Sequence, residues 1–208
     1  MRKLHIGLDF DNTIVLYDEI FYHYALEKNY IDGNVPKTKK AVRNELIKKN
    51  REALFTEMQG IVYGKLIKDA PLQKGFIDSL VRLSQIECKI SIVSHKTKHP
   101  IIGEKFNLHE SALNWLKSNK VLGNNLFTIK EKNVFFEESE EKKINRIKDI
   151  GCTHYVDDLE KILFQLPKNI VKIHFVNETS LDKSSLVNKD FFYLNNWTKF
   201  NNLIEMTI

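Results

Sequence analysis

Two aspartates, Asp9 and Asp11, stand where the first apolar segment of the chain ends, in Ile6-Gly7-Leu8-Asp9-Phe10-Asp11-Asn12-Thr13-Ile14-Val15. Alternate residues of a strand point to the same face, so the two carboxylates would crowd one small volume. Carboxylates this close repel each other unless a cation or a shared proton lies between them. The pair therefore predicts metal binding, acid–base chemistry, or both. The alternative is a strand-ending turn in which the Asp and Asn side chains bond to nearby backbone N–H groups.

The composition is that of an ordinary globular protein, with 42% of the 208 residues hydrophobic and 28% charged. This length suits one α/β domain with an insertion, or two small domains. No apolar run approaches the roughly 18 residues that would span a bilayer. Because Met1-Arg2-Lys3 leads at once into the segment that carries Asp9, a cleavable signal peptide does not fit.

The net charge of +5 can steer anionic substrates such as phosphates, but it is too small and dispersed to argue for nucleic acid. Cys88 and Cys152 are the only cysteines. Both fall at the edges of predicted strands, which suits a reducing compartment, and we expect no disulfide.

Apolar segments of strand type alternate with helical patterns along most of the chain. Strands are predicted at residues 4–8, 89–93, 134–136, 153–156 and 170–176. Helices are predicted at 76–86, 108–116 and 140–150, the last ending before Gly151. This alternation predicts an α/β fold in which helices cover both faces of a parallel sheet.

Residues 17–70 break that alternation, because they hold no convincing strand. Three helices are expected there, at 18–30, 38–49 and 52–67, and they form a small helical insertion after the first strand. We therefore divide the chain into a core domain, residues 1–16 and 71–208, and an insertion, residues 17–70. A final helix is expected at 191–206.

Three later segments place polar residues where further strands or helices meet loops. Ser94 ends the strand in Ile90-Ser91-Ile92-Val93-Ser94-His95-Lys96-Thr97, where a hydroxyl and backbone N–H groups can hold phosphate oxygens. Lys143 could neutralise a phosphate and a carboxylate together. Asp157 and Asp158 follow the strand at 153–156, and carboxylate oxygens suit Mg²⁺.

Each of these segments has a simpler explanation when it is taken alone. Ser94 could begin an ordinary polar loop, and Lys143, like its neighbour Lys142, could be a solvated helix lysine. Asp158 could cap a helix that begins at Leu159.

In order and spacing, the four segments resemble the motifs of the haloacid dehalogenase (HAD) superfamily, and the resemblance extends from Lys3 to about Val176. The chain is similar to small bacterial HAD-type hydrolases whose first motif continues into a Tyr-Asp segment. The resemblance implies a Rossmann-like parallel sheet and a phosphatase. Residue by residue it implies the roles of nucleophile for Asp9, general acid and base for Asp11, loop support for Thr13, phosphoryl binding for Ser94 and charge neutralisation for Lys143.

The resemblance also implies a Mg²⁺ site formed by Asp9, the backbone carbonyl of Asp11 and Asp158, with Asp157 behind them. The chemistry is consistent with these residues, because a carboxylate can attack phosphorus while a second carboxyl group handles the proton. The dehalogenase branch of the superfamily lacks an acid at the position of Asp11. We therefore expect a Mg²⁺-dependent phosphatase that acts through an aspartyl-phosphate.

The substrate is an open question at this level. A small insertion favours an open site for bulky or aryl phosphates, such as phosphotyrosine in a phosphopeptide or phosphoprotein. The alternatives are a small-metabolite phosphatase, a phosphotransferase or mutase, and a non-catalytic module that binds phosphate or phosphopeptides. The run His95, Lys96, Lys98 and His99 is interpreted either as the mouth of an anion site, with His95 as a substrate contact, or as a solvated loop.

The sequence contains neither G-x-x-x-x-G-K-[ST] nor G-x-G-x-x-G, so a nucleotide-binding loop of either kind is unsupported. We expect a location in the bacterial cytosol, with export as an effector into a host as the alternative.

Overall fold

The structure, a computed structural model, describes residues 3–123, 129–176 and 190–208. These residues contain a six-stranded sheet in which every pair of neighbouring strands is parallel. The strands are β1 (Leu4–Leu8), β2 (Cys88–His95), β3 (Val134–Glu137), β4 (His154–Asp157), β5 (Val171–Phe175) and β6 (Phe192–Leu194). Their order across the sheet is β3-β2-β1-β4-β5-β6, and it confirms the predicted α/β fold with a parallel sheet.

The strand order places β1 between β2 and β4. Leu8, the last residue of β1, pairs with Ile92 on one side and with Val156 on the other. Since parallel strands end at the same edge of the sheet, the residues that follow β1, β2 and β4 meet there. Ligands of open α/β sheets bind at this edge.

Two apolar cores, one on each face of the sheet, explain why the strands are hydrophobic along their length. Tyr155 and Val156 are neighbours in β4, yet they belong to different cores. Helices cover both faces: α1 (Asp18–Glu27), α2 (Lys39–Lys48), α3 (Glu52–Gly64), α4 (Phe76–Leu83), α5 (Leu108–Ser118) and α8 (Phe200–Glu205) on one, and α6 (Glu140–Asp149) and α7 (Glu160–Gln165) on the other.

Local signals explain where helix α6 begins and ends. The Ser139 side chain caps the helix by accepting a hydrogen bond from the N–H of Lys142, at 3.2 Å. Glu140 and Glu141 occupy the first turn, where acids complement the helix dipole. Gly151 follows with φ at +72°, a conformation that glycine adopts without strain.

The helices of the insertion leave and rejoin the core at adjacent points. Val15 and Leu72 form an antiparallel bridge, and the N–H of Leu16 donates to the carbonyl of Pro71 at 2.9 Å. Helices α1, α2 and α3 lie between these two segments, and their apolar residues join the core on the same side of the sheet. The division into core and insertion remains an interpretation.

The predicted helix at 191–206 is wrong in its first half. Residues Phe192–Leu194 form β6, which pairs with β5, and a 3₁₀ turn at Trp197–Lys199 separates it from the short helix α8. Asn196 begins the turn by accepting a hydrogen bond from the N–H of Thr198 at 2.9 Å. Pairing with β5 is a tertiary contact that a local helical pattern does not register.

Candidate active site

A tight turn after β1 brings Asp9 and Asp11 to the edge of the sheet. The N–H of Asp9 donates to the carbonyl of Val156 in β4 at 2.9 Å, so this residue is still held as a continuation of the strand. Asn12 then adopts a left-handed conformation, with φ at +60°, and its N–H donates to the carbonyl of Val15. Asparagine tolerates this conformation better than most residues, which explains its place in the turn.

Ser94 and Lys143 both contact the same oxygen of Asp9. The Ser94 hydroxyl, at the end of β2, donates to Asp9 Oδ1 at 2.9 Å. The Lys143 ammonium, from α6, donates to the same atom at 2.6 Å and to Asp157 Oδ2 at 2.7 Å. The side chain of Lys143 is only 2% exposed, so it is a buried cation between two carboxylates rather than a solvated helix lysine.

Asp157 and Asp158 have different surroundings although they are neighbours. Asp157 is fully buried, and its Oδ1 accepts a hydrogen bond from the N–H of Leu159 at 2.9 Å. Asp158 is half-buried and lines the cavity over Asp9, where the Asn12 amide donates to its Oδ2 at 3.4 Å. The carboxylate that bonds to the backbone just before α7 is thus that of Asp157, not that of Asp158.

Burial and mutual repulsion raise the pKa values of the acids in this site. Burial raises the pKa of Asp9 to about 6, against the opposing charge of Lys143 and with further contributions from Asp157 and Asp11. Burial, followed by the charges of Asp9 and Asp157, raises the pKa of Asp158 well above its usual range. Burial opposes the charge of Lys143, but Asp157 and Asp9 outweigh it and raise its pKa.

The carboxylates of Asp9, Asp157 and Asp158 each offer an oxygen within 4.8 Å of the others. The Lys143 ammonium, which bonds to Asp9 and Asp157, does not by itself neutralise these three carboxylates. An all-oxygen set of this kind suits Mg²⁺. The residues present therefore fit a divalent cation.

Asp11 is held by two further residues, Tyr17 and Lys96. The Tyr17 hydroxyl donates to Asp11 Oδ1 at 2.8 Å, and the Lys96 ammonium lies 3.0 Å from both carboxylate oxygens. Lys96 is itself fixed, because His109 donates to its carbonyl at 2.7 Å. Burial, followed by the charge of Asp11, raises the pKa of Tyr17 well above its usual range, so its hydroxyl remains a donor.

A cavity of about 290 Å³ opens over these groups and is closed on one side by the insertion. Among its lining residues are polar side chains of α2 and α3: Lys39, Thr56, Gln59 and Tyr63. Pro100, Ile101 and Leu108 supply an apolar wall. The site is therefore a pocket shared by the sheet edge and the inserted helices.

The structure places all the predicted site residues at this edge of the sheet. Thr13 is buried under the turn, with its hydroxyl 3.5 Å from Asp9 Oδ2 and its carbonyl accepting a hydrogen bond from the Trp197 indole. His95 is exposed and lines the cavity beside Ser94.

Lys39 and Tyr63 were missed by reasoning from the sequence, and Lys96 was treated only as one residue of a basic loop. Gln59 and Tyr63 are spaced four residues apart and so share a face of α3, which is a recognisable signal. The sequence does not say which residues that face would meet. Tyr22 and His23, two aromatic residues of α1, are not among the cavity residues.

No protein-family model and no curated protein matches this chain. Several solved structures do match it. A haloacid dehalogenase-like hydrolase from Burkholderia xenovorans matches with a TM-score of 0.60 and 10% identity, over 100% of both chains. A HAD-hydrolase from Bacillus subtilis, YfnB, described as bound to magnesium, matches with a TM-score of 0.58 and 11% identity, over 98% of this chain and 99% of its own.

A predicted phosphoglycolate phosphatase from Haemophilus somnus matches with a TM-score of 0.57 and 13% identity, over 97% of this chain and 98% of its own. Dehalogenases are also among the matched structures. At these identities the likeness concerns the fold. The chain has the fold of the HAD-superfamily hydrolases, as its motifs predict.

Within the described ranges, every helix is too short or too polar to cross a membrane.

Proposed function

We propose that this protein is a Mg²⁺-dependent phosphatase that hydrolyses phosphate monoesters through an aspartyl-phosphate on Asp9. The observation that carries the proposal is the arrangement around Asp9. One carboxylate oxygen is held by Ser94 and Lys143, and a second acid, Asp11, follows two residues later and lines the same cavity. A fixed carboxylate beside a second carboxyl group suits nucleophilic attack followed by proton transfer.

The proposed reaction has two steps. A carboxylate oxygen of Asp9 attacks phosphorus and forms a new P–O bond, while the ester P–O bond breaks and Asp11 protonates the departing oxygen. Asp11 then takes a proton from water, whose oxygen attacks phosphorus and releases Asp9 and phosphate. Lys143 and Ser94 hold Asp9 in place and present positive charge and a hydroxyl to the phosphoryl oxygens.

Asp9, the carbonyl of Asp11 and Asp158 are the groups that would hold Mg²⁺. When bound, the ion supplies positive charge that offsets the repulsion between the phosphoryl group and the carboxylates. The orientation of Asp158 into the cavity supports direct contact for this residue. The bonds of Asp157 to Lys143 and Leu159 support an indirect role.

The cavity favours substrates in which the group bonded to the phosphate is of modest size. Its volume lies near the lower end of the roughly 300–1,000 Å³ that ligand sites span. The wall formed by Pro100, Ile101 and Leu108 suits an aryl group, with the bulk of a phosphotyrosine-bearing chain left outside. A small-metabolite phosphatase and a phosphotransferase remain the alternatives within the same chemistry.

The function is tested by p-nitrophenyl phosphate hydrolysis in Mg²⁺ and after chelation with EDTA. We expect wild type to be active, EDTA to stop turnover and added Mg²⁺ to restore it. Asp9→Asn should lower kcat by at least about a thousandfold, since the nucleophile is lost. Asp149→Asn, a matched change at an exposed position on α6, should not.

Two results would contradict this function. Halide release from a chlorinated carboxylic acid without phosphatase activity would indicate a dehalogenase. Tight binding of phosphate esters without turnover would indicate a binding module.

A further inference from the structure

We propose that the natural substrate carries a second anionic group, a carboxylate or a further phosphate, and that Lys39 binds it. This inference rests on the proposed phosphatase function and names the class of substrate that the site would accept. Lys39 lines the cavity and has a raised pKa, and among the described residues no carboxylate pairs with it.

Three lysines line the cavity, and two of them are already paired. Lys143 bonds to Asp9 and Asp157, and Lys96 bonds to Asp11. Lys39 differs: within the described part of the chain, no carboxylate oxygen lies within 4.0 Å of its ammonium. Among the lysines that line the cavity in the described part of the chain, Lys39 is therefore the one whose ammonium is still available for another anion once phosphate and metal occupy the acidic end.

Two aromatic rings, rather than a paired carboxylate, lie beside the Lys39 ammonium. It lies 5.6 Å from the ring centroid of Phe21 and 5.4 Å from that of Tyr63. The Lys96 ammonium lies 4.6 Å from the same Tyr63 ring, so Tyr63 contacts both cations. Burial opposes the charge of Lys39, but the hydroxyl of Tyr63 and the charges of Asp11 and Asp158 outweigh it and raise its pKa.

The position of Lys39 is hard to explain by helix stability. It is the first residue of α2, whose first turn contains no acid. A lysine there meets the positive end of the helix dipole, which is unfavourable. Thr38 caps the helix, and the Lys39 N–H donates to Asp18 at 2.9 Å, so the backbone is fixed whatever the side chain does. A locally unfavourable charge that is half-buried in a cavity suggests a functional role.

Two neutral side chains of α3 that can donate hydrogen bonds line the same part of the cavity. Thr56 and Gln59 lie three residues apart on that helix and line the cavity with Lys39. A hydroxyl and an amide can complete the hydrogen bonds of a carboxylate or phosphate whose charge the lysine neutralises.

The test compares aryl phosphates that differ in their meta substituent: the carboxylate of meta-carboxyphenyl phosphate, its size-matched neutral carboxamide and the second phosphate of meta-phenylene bisphosphate. Wild type should have a higher kcat/KM for at least one doubly acidic ester than for the carboxamide. In Lys39→Met we expect that preference to fall by about tenfold to a hundredfold, the range that one charge-assisted hydrogen bond supplies. Comparing the rates on the carboxyphenyl ester and on the bisphosphate then shows which second anion is preferred.

Two controls separate binding from folding. Lys40→Met changes the same charge at the exposed next position of α2 and should leave the preference unchanged. Lys39→Arg keeps the charge and should retain part of the preference. Circular dichroism and thermal melting of each variant identify a folding defect, and Lys39→Gln serves if Lys39→Met is unstable.

The outcomes separate this inference from the function on which it rests. If wild type hydrolyses p-nitrophenyl phosphate but shows no preference for the acidic esters, or Lys39→Met leaves the preference intact, only the inference is overturned. If Lys39→Met lowers kcat/KM equally for charged and neutral esters, Lys39 binds the transferring phosphate and the inference is again wrong. If wild type hydrolyses none of the esters, both proposals fail.

Discussion

At the scale of single residues, the site depends on one buried ammonium between two carboxylates. Lys143 contacts Asp9 and Asp157, and all three side chains are at most 5% exposed. Removing one member of a buried ion pair leaves a charge without compensation, which costs about 3–5 kcal/mol. Lys143→Met should therefore lower the free energy of unfolding by about that amount, measured by urea denaturation in EDTA.

Lys142→Met is the matched control for this prediction, because Lys142 is the exposed neighbour on the same helix. Its free energy of unfolding should stay within about 0.5 kcal/mol of wild type. Equal losses in the two variants would mean that the Lys143 contacts do not stabilise the fold.

The neighbours Asp157 and Asp158 should respond differently to substitution. Asp158 faces the cavity, so Asp158→Asn should weaken Mg²⁺ binding by at least about tenfold in isothermal titration, since a charged ligand is lost. Asp157 bonds to Lys143 and to the backbone of Leu159, so Asp157→Asn should mainly lower the free energy of unfolding. A larger loss of Mg²⁺ affinity in Asp157→Asn would exchange the two roles.

At the scale of elements, close packing of α3 positions the cavity wall. A Cβ atom added at Gly64 would lie 2.5 Å from Phe106 Cγ, and one added at Gly60 would lie 2.7 Å from Pro100 Cβ. These glycines let α3 approach the segment that follows β2, and Gln59 and Tyr63 on the same helix line the cavity. The approach of this helix thus controls the width of the site.

Gly64→Ala should therefore lower the free energy of unfolding by about 1–3 kcal/mol, the usual cost of overpacking. Gly33→Ala is the control, because a Cβ at Gly33 would meet no atom within 4 Å. Urea denaturation compares the two. Combining Gly64→Ala with Phe106→Ala should recover part of the loss, and no recovery would show that this contact is not the cause.

At the scale of the whole molecule, two buried histidines should make stability depend on pH. Burial, with a smaller effect of Lys89, lowers the pKa of His5, and burial lowers that of His154. Above the usual pKa of about 6.5 both are neutral in the folded and unfolded states, and this contribution is constant. As the pH falls through 6.5, the unfolded chain takes up protons that the folded chain resists, so stability is lost.

The loss should approach about 1.4 kcal/mol per pH unit for each histidine between pH 6.5 and its folded pKa. Urea denaturation from about pH 7 to pH 5 checks this. The slope should be shallower in His5→Gln and His154→Gln than in wild type, and the difference between variants isolates the histidines from the acids of the site. His23→Gln, at an exposed position, is the matched control substitution.

The sequence alone was sufficient wherever the signal is local. The apolar run 4–8 predicted β1 with the bounds that the structure shows, and Gly151 was correctly interpreted as the end of a helix. The Asp9–Asp11 turn was recognisable because a strand end, two acids and a turn-forming Asn are consecutive. Each of these features depends on residues within a few positions of each other.

The tertiary structure decided which distant residues these local features contact. The pairing of Lys143 with Asp9 joins residues 134 positions apart, and that of Lys96 with Asp11 joins residues 85 apart. β6 forms because β5 offers it an edge, despite the helical pattern of its own residues. Lys39 and Tyr63 enter the site because the folded insertion brings α2 and α3 over the sheet edge. Periodicity and spacing describe each segment separately, whereas such contacts depend on how distant segments pack together.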